Sequence, residues 1–176
     1  PGGFTFDVSL HSTTVGLRDG VANLIYGFPE IRDIAFLPHK TLYRAIYPDY
    51  DIRVPHMNIP GYVAILKKNF PGDEEAIDGM FADMKGLADD VGKLANASGP
   101  PDMANFPKNF PHLFKNFNRT WGAMLDERVK NPKLKAVISG LWGYFGLPPS
   151  KLSPFYYAMP LMGYLEGGGY YPVGTS

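Results

Sequence analysis

The strongest constraint on the fold is a helical repeat of apolar residues between positions 73 and 95. Eight apolar side chains recur there at intervals of three or four residues: Ile77, Met80, Phe81, Met84, Leu87, Ala88, Val91 and Leu94. Acids at Asp73, Glu74 and Glu75 fill the first turn, where the helix dipole favours negative charge. The pattern predicts a long amphipathic helix that ends before Gly99-Pro100.

The rest of the chain places strands before helices. Residues 3–11 alternate apolar and polar side chains, as a half-buried strand does. Short runs at 34–38, 41–47 and 51–55 are rich in β-branched and aromatic residues and predict an antiparallel meander. Further helices are predicted at 18–28, 58–69, 113–129, 132–145 and 153–165, with an irregular stretch at 102–118. The expected class is α+β, a small antiparallel sheet with several helices packed on one side, and 176 residues suit a single domain, 1–176.

Composition excludes several kinds of function. The chain has no cysteine, which rules out disulfides and thiolate chemistry. Its net charge is zero, so no broad field attracts nucleic acid. No metal site is predicted, because none of the histidines, His11, His39, His56 and His112, lies four residues from another. The sequence also lacks a Gly-x-Gly-x-x-Gly loop, a Walker loop and a Gly-x-Ser-x-Gly elbow.

Charge is nevertheless unevenly distributed. Residues 71–98 hold seven acids and two bases, whereas 101–151 hold eight bases and three acids. The basic half either faces an anionic surface or forms an ordinary solvated helix face. The apolar stretches 136–150 and 152–165 are shorter than the roughly 20 residues that span a bilayer. They fit a buried helical pair or helices lying in a membrane interface.

Glycines cluster at two places in the sequence. Gly140, Gly143 and Gly146 recur every third residue at the end of the predicted helix 132–145 and just after it, and a glycine inside a helix costs about 1 kcal/mol relative to alanine. Either another backbone packs closely on them, or they form a flat wall beside a slender apolar ligand. The run 167–169, followed by Tyr171-Pro172, fits a chain that passes close to a large flat group and then turns, or a linker.

Three segments, taken in order, resemble one family. Gly3-Phe4-Thr5-Phe6-Asp7-Val8-Ser9-Leu10-His11 is similar to the "G-F-x-F-D-x-G-x-H" segment of the flavoproteins that include phytoene desaturases, carotenoid isomerases and retinol saturase. Phe70-Pro71-Gly72-Asp73-Glu74-Glu75-Ala76-Ile77 resembles their "F-P-G-E-x-x-A-I" helix start. Gly168-Gly169-Tyr170-Tyr171-Pro172-Val173-Gly174 resembles their "G-x-Y-Y-P-x-G-G" turn. Ser9 and Thr175 depart from family glycines, and the retinol saturase and carotenoid isomerase branch is the most similar.

The resemblance implies a FAD-dependent oxidoreductase that saturates, desaturates or isomerises the double bonds of a carotenoid- or retinoid-like polyene. It places Asp7, Ser9, Gly168, Gly169, Tyr171, Pro172 and Gly174 near the flavin. His11 is the candidate catalytic residue; its alternative is an ordinary hydrogen-bonded strand histidine. The expected substrate contacts are Tyr43, Trp142, Tyr144, Phe145, Tyr156 and Met159.

The expected role is that of a substrate-binding, membrane-facing segment excised from a larger flavoprotein. The parent would hold FAD in its own flavin domain, and the isolated segment is expected to bind no cofactor and to be inactive. Expected partners are the apolar polyene, the parent's FAD domain and a membrane surface, but no nucleic acid. The expected location is cytoplasmic, with peripheral membrane association. The alternative is a stand-alone lipid- or carotenoid-binding module, or a peripheral membrane-interaction domain, without a redox role.

Overall fold

The structure, a computed structural model, describes residues 12–13 and 35–173. Of these, 54% are helical and 13% lie in strands or bridges, which confirms the α+β class. The predicted strand 3–11, the predicted helix 18–28, and the site residues Asp7, Ser9, His11 and Gly174 lie outside the described residues.

The described chain divides into two compact units. We call them the strand unit (12–13, 35–59 and 163–173) and the helical unit (Pro60–Met162). The assignment of 1–176 to a single domain remains a prediction. Within the described residues, no helix combines the length and apolar character needed to cross a bilayer.

A local hairpin forms the first sheet of the strand unit. Strand β2 (Thr41–Ile46) pairs antiparallel with β3 (Asp51–Pro55), so that Ala45 lies opposite Ile52. The turn closes where the Tyr47 amide donates to the Tyr50 carbonyl at 2.7 Å. Ile52 and Val54 are buried while their neighbours on β3 are exposed or half-buried, as the two-residue period of a strand requires. This part of the predicted meander is confirmed.

The third predicted strand pairs elsewhere. Strand β1 (Phe36–Pro38) does not join β2 but pairs antiparallel with β4 (Tyr170–Pro172), so that Phe36 faces Pro172 and Pro38 faces Tyr170. The His39 amide continues this pairing by donating to the Gly169 carbonyl at 2.9 Å. The three-stranded meander is therefore wrong at β1, because a partner from the far end of the chain replaces the neighbouring strand.

The first two helices confirm the sequence pattern. Helix α1 (Ile59–Asn69) carries Pro60 in its first turn, where a missing N–H is tolerated. Helix α2 (Glu74–Ala95) begins shortly after Gly72. The φ of Gly72 is +95°, a backbone conformation that glycine adopts without steric cost. Its amide donates a hydrogen bond to the Glu74 carboxylate at 2.9 Å. The predicted apolar face of α2 is buried at Ile77, Met80, Phe81, Met84 and Leu87.

The region between residues 102 and 129 differs from the prediction. Residues 102–118 are not irregular throughout, because helices α3 (Phe106–Asn109) and α4 (Pro111–Asn116) form there with a proline in each first turn. The single helix predicted at 113–129 is also wrong. Helix α4 ends at Asn116, and α5 (Trp121–Arg128) starts anew where the Thr120 hydroxyl accepts a bond from the Ala123 amide at 3.1 Å.

The helix predicted at 132–145 is likewise shorter. Helix α6 (Pro132–Ile138) is capped by the Asn131 side chain, and a 3₁₀ turn at Trp142–Phe145 follows. Gly143 and Gly146 therefore lie outside any α-helix, and Gly146 ends the turn with a φ of +72°. A Cβ at either position has no described neighbour within 4 Å, so packing against the described backbone does not explain these two glycines. Helix α7 (Pro154–Gly167) confirms the last predicted helix, with Pro160 inside it.

Candidate functional site

In the strand unit, a two-residue bridge joins distant parts of the sequence. The Thr13 amide donates to the Tyr170 carbonyl at 2.9 Å, and the Tyr170 amide donates to the Thr13 carbonyl at 2.8 Å. The Tyr164 hydroxyl, near the end of α7, donates to the Ser12 carbonyl at 3.3 Å. Ser12 and Thr13, which directly follow the first sequence motif, therefore contact the third motif.

The glycines of that third motif are required by the chain's own packing. Gly168 has a φ of +82°, and a Cβ there would lie 2.4 Å from Nε2 of His56. A Cβ at Gly169 would lie 2.8 Å from Ser12 Oγ. His56 Nε2 is also 3.1 Å from the Gly169 carbonyl oxygen, and its ring meets Tyr170 edge-on at 5.5 Å. At Gly168, the described group that approaches the backbone is the imidazole of His56.

Replacing Gly168 with alanine is expected to destabilise the strand unit. The new Cβ adds both an unfavourable left-handed backbone, about 1–2 kcal/mol, and a clash with His56. Chemical denaturation followed by circular dichroism measures the change. Gly163→Ala, in α7, is the matched control: its Cβ would meet no described atom within 4 Å, so the helix should gain up to about 1 kcal/mol. Equal effects of the two substitutions would contradict the assigned packing.

Two buried polar atoms beside Gly169 have no hydrogen-bond partner within the described residues. They are Ser12 Oγ and His39 Nε2. A buried polar atom left unpaired costs about 1–3 kcal/mol, so these two atoms are an energetic cost of the close packing around Gly169. The fit to a flavin ring is partial, because His56 already covers Gly168. Tyr171 and Pro172 are engaged in β4, opposite Leu37 and Phe36.

The helical unit contains an apolar cavity of about 420 Å³. Helix α2 lines it with Leu87, Val91 and Leu94, and α4 contributes Leu113 and Asn116. This volume lies in the range of about 300–1,000 Å³ that is typical of small-molecule sites, which are mainly apolar with a few polar groups. The cavity can therefore hold a small apolar ligand.

The mouth of the cavity carries exposed aromatic side chains. Phe117 lines the cavity and is 72% exposed, and Phe155 lines it and is 37% exposed. Phe155 meets Tyr156 edge-on at 5.4 Å. Large apolar side chains exposed beside an apolar cavity are typical of a binding surface. Among the described residues, Ser153 is the only polar lining residue besides Asn116, and no lining residue is charged.

Asn116 is the more buried of the two polar residues in the cavity lining. Its side chain is buried, with 5% of the residue exposed. Its Nδ2 donates to the His112 carbonyl at 2.9 Å, whereas Oδ1 has no partner within the described residues. Because a carbonyl only accepts, this bond fixes the orientation of the amide. The Asn116 Oδ1 atom is therefore a buried acceptor without a partner among the described residues.

A buried carboxylate on α2 positions α4. Asp90 Oδ2 accepts hydrogen bonds from the amides of His112 at 2.8 Å and Leu113 at 3.1 Å, which lack partners at a helix start. Lys93 lies 3.5 Å from the other carboxylate oxygen. Gly86 leaves room for the His112 ring, because a Cβ there would lie 2.5 Å from it. Together these contacts hold Asn116 in the cavity wall.

A surface ion cluster ties α4 to α5. Glu127 binds Lys115 at 2.6 Å and Arg119 at 2.7 Å. The hydrogen bond from Lys115, with that from Arg119, lowers the pKa of the Glu127 carboxyl to about 2. A carboxyl with a lowered folded-state pKa stabilises the fold above its unfolded pKa, and this stabilisation is lost as the pH falls toward the folded value.

Acid should remove the stabilisation that the Glu127 ion cluster provides. We expect Glu127→Gln to lower the free energy of unfolding by up to about 1 kcal/mol near neutral pH, since the cluster is largely exposed. The difference from the wild type should vanish as the pH falls from about 4.5 to about 2. Urea titrations over this pH range measure it. A difference that stays constant with pH would argue against the cluster.

The expected substrate contacts do not line this cavity. Trp142, Tyr144 and Tyr156 are exposed on the helical unit, and Phe145 packs edge-on against Tyr157 at 5.5 Å. Met159 is half-buried in α7, while Tyr43 belongs to β2 of the strand unit. Sequence reasoning missed Asn116 and Phe117 because it treated residues 102–118 as irregular. Pro107 and Pro111, each in the first turn of a short helix, were the signals for α3 and α4.

Comparison with known proteins adds no assignment. No protein-family model matches this chain, and no curated protein matches it at a significant level. Within residues 12–13 and 35–173, no three His, Asp or Glu side chains are grouped as a metal ion requires.

Proposed function

We propose that this chain is the substrate-binding segment of a FAD-dependent oxidoreductase that saturates, desaturates or isomerises the double bonds of a carotenoid- or retinoid-like polyene. The observation that carries the proposal is the bridge between Thr13 and Tyr170. It joins the chain just after the first family-like motif to the third motif, which the resemblance places beside the same flavin. The apolar cavity of the helical unit adds support, since a polyene needs an apolar site.

In this proposal the flavin supplies the hydride chemistry, and the chain's own residues bind and orient the substrate. The apolar lining of the helical unit excludes water from a hydrocarbon chain. Peripheral contact with a membrane from the cytoplasmic side belongs to the same proposal, which the exposed Trp142 and Tyr144 support.

Thr13→Pro tests the bridge, because proline has no N–H to donate to Tyr170. The polypeptide as its gene encodes it, with any flanking sequence, is purified and its flavin content is read from its absorbance. We expect stoichiometric flavin in the wild type and in Thr13→Val, which keeps the N–H, and a several-fold loss in Thr13→Pro.

Two outcomes would contradict the proposal. One is a wild-type polypeptide that carries no flavin. The other is stoichiometric FAD retained by residues 1–176 alone, since the proposal places the nucleotide cradle outside this segment.

A second candidate is a stand-alone module that binds an apolar ligand without redox chemistry. The cavity lined by Leu87, Leu94 and Phe117 favours it, because the helical unit forms this cavity from its own residues. It predicts ligand uptake by residues 1–176 without flavin. A peripheral membrane role predicts co-sedimentation with anionic vesicles but not with neutral ones.

A further inference from the structure

We infer that Met57 is a site of oxidation by peroxide, and that its conversion to the sulfoxide loosens the third motif of the strand unit. The reacting group is the methionine thioether, and the oxidant is hydrogen peroxide. The inference goes beyond both functions proposed above, because it needs neither a flavin nor an apolar ligand. Met57 and the residues it contacts all belong to the strand unit.

Met57 is one of two methionines that are well exposed to solvent. The chain has seven methionines, and the structure describes all of them. Met57 is 50% exposed and Met103 is 71% exposed, and Met159 is half-buried. The remaining four are at most 2% exposed: Met80, Met84, Met124 and Met162. Since oxidation follows exposure, peroxide in solution should reach Met57 and Met103 first.

The backbone of Met57 is strained. Its φ is +50°, and among the described residues no other non-glycine residue has a positive φ. This left-handed conformation is uncommon for a residue with a side chain, and it persists only where the surrounding structure holds it. Met57 lies between β3 and α1, so the contacts of this turn determine whether the conformation is kept.

Those contacts are made with the third motif. The Tyr170 hydroxyl donates to Met57 Sδ at 3.6 Å. A Cβ at Gly168 would lie 3.0 Å from Met57 Cγ, so the side chain packs directly on the backbone of the motif. Nε2 of the preceding His56 lies 3.1 Å from the Gly169 carbonyl oxygen. The sulfur of Met57 is therefore part of the packing that positions β4.

Oxidation changes this contact at the sulfur itself. The thioether sulfur attacks one oxygen of hydrogen peroxide, so that an S–O bond forms, the O–O bond breaks and, after a proton shift, water leaves. Sulfur is oxidised by two electrons and the peroxide is reduced. The sulfur of a sulfoxide carries partial positive charge, so it no longer accepts from the Tyr170 hydroxyl. The added polar oxygen also needs room that the close approach to Gly168 does not leave.

Hydrogen exchange before and after peroxide treatment of the 176-residue chain tests the inference. Peptide mass spectrometry locates the oxidised methionines, and Met57 and Met103 should react before the four buried ones. The Tyr170 amide donates to the Thr13 carbonyl at 2.8 Å. After oxidation it should exchange roughly three- to tenfold faster, as the loss of one net hydrogen bond predicts. Methionine sulfoxide reductase should restore the original exchange rate.

Two leucine substitutions separate the exposed methionines. Met57→Leu removes the sulfur at similar side-chain volume, so peroxide should no longer change the exchange of the Tyr170 amide. Met103→Leu is the matched control, because Met103 is also exposed but lies outside the strand unit. This variant should keep the full response to peroxide. Circular dichroism checks that both variants fold, and the wild-type comparison with reductase reversal needs no variant.

Three results would overturn the inference. Met57 that stays unoxidised while Met103 is fully converted rejects the site. Met57 sulfoxide with unchanged exchange at Tyr170 rejects the effect on the third motif. A response to peroxide that persists in Met57→Leu, or that disappears in Met103→Leu, assigns the effect to another residue. None of these results bears on flavin retention, which Thr13→Pro tests separately.

Discussion

Replacing Trp121 with alanine is expected to lower the free energy of unfolding by about 3–5 kcal/mol, the largest effect of any single substitution considered. Trp121 is fully buried and stacks on Tyr157 with ring centroids 4.3 Å apart. Its indole N–H donates to Ser139 Oγ at 2.9 Å, and its backbone amide donates to the Leu152 carbonyl at 2.6 Å. The substitution leaves a cavity and strips the Ser139 hydroxyl of its donor.

Trp142→Ala is the matched control, because the chain has only these two tryptophans. Trp142 is 43% exposed, so its loss should cost less than about 1 kcal/mol. Urea denaturation followed by circular dichroism measures both variants, and each retains one tryptophan as a fluorescent reporter. Similar losses in the two variants would show that Trp121 does not organise the core.

Replacing Asp90 with alanine is expected to cost about 3 kcal/mol, because two amides at the start of α4 lose a charged acceptor inside the protein. Asp90 is 1% exposed, so water cannot replace the carboxylate. The amides of His112 and Leu113 should also lose protection from hydrogen exchange.

Asp89→Ala is the control from the adjacent position. Asp89 is exposed and pairs only with Lys85, one turn earlier on α2, at 2.9 Å among the contacts described. A surface pair of this kind contributes less than about 1 kcal/mol. Unfolding by urea and hydrogen exchange compare the two variants. An Asp90→Ala protein as stable as Asp89→Ala would remove the proposed anchor of α4.

Helices and strands that form because of residues close together in the chain were predictable from the sequence. Helix α2 follows from its apolar period and the acids of its first turn, and the structure has it at Glu74–Ala95. The β2–β3 hairpin also forms between neighbouring segments. Prediction failed where a short capping signal interrupts a longer pattern, as Thr120 does between α4 and α5.

The candidate sites likewise combine features that the sequence predicted with features that only the folded structure shows. The glycines at 168 and 169 were expected to lie close to a flat group, but only the folded chain identifies His56 and Ser12 as their neighbours. Asn116 carries no motif that distinguishes it from the other asparagines. Its role arises from burial against α2, and the membership of the flavoprotein family remains a prediction.

The amino-acid sequence alone determined the α+β class, the long helix α2 and the absence of cysteine chemistry, because periodicity, end signals and composition act within or near a segment. Only the tertiary structure decided that β1 pairs with β4, that Asp90 anchors α4, and that Asn116 keeps an unpaired acceptor beside an apolar cavity. Each of these features depends on contacts between residues far apart in the chain, and no local sequence pattern specifies which distant residue will be the partner.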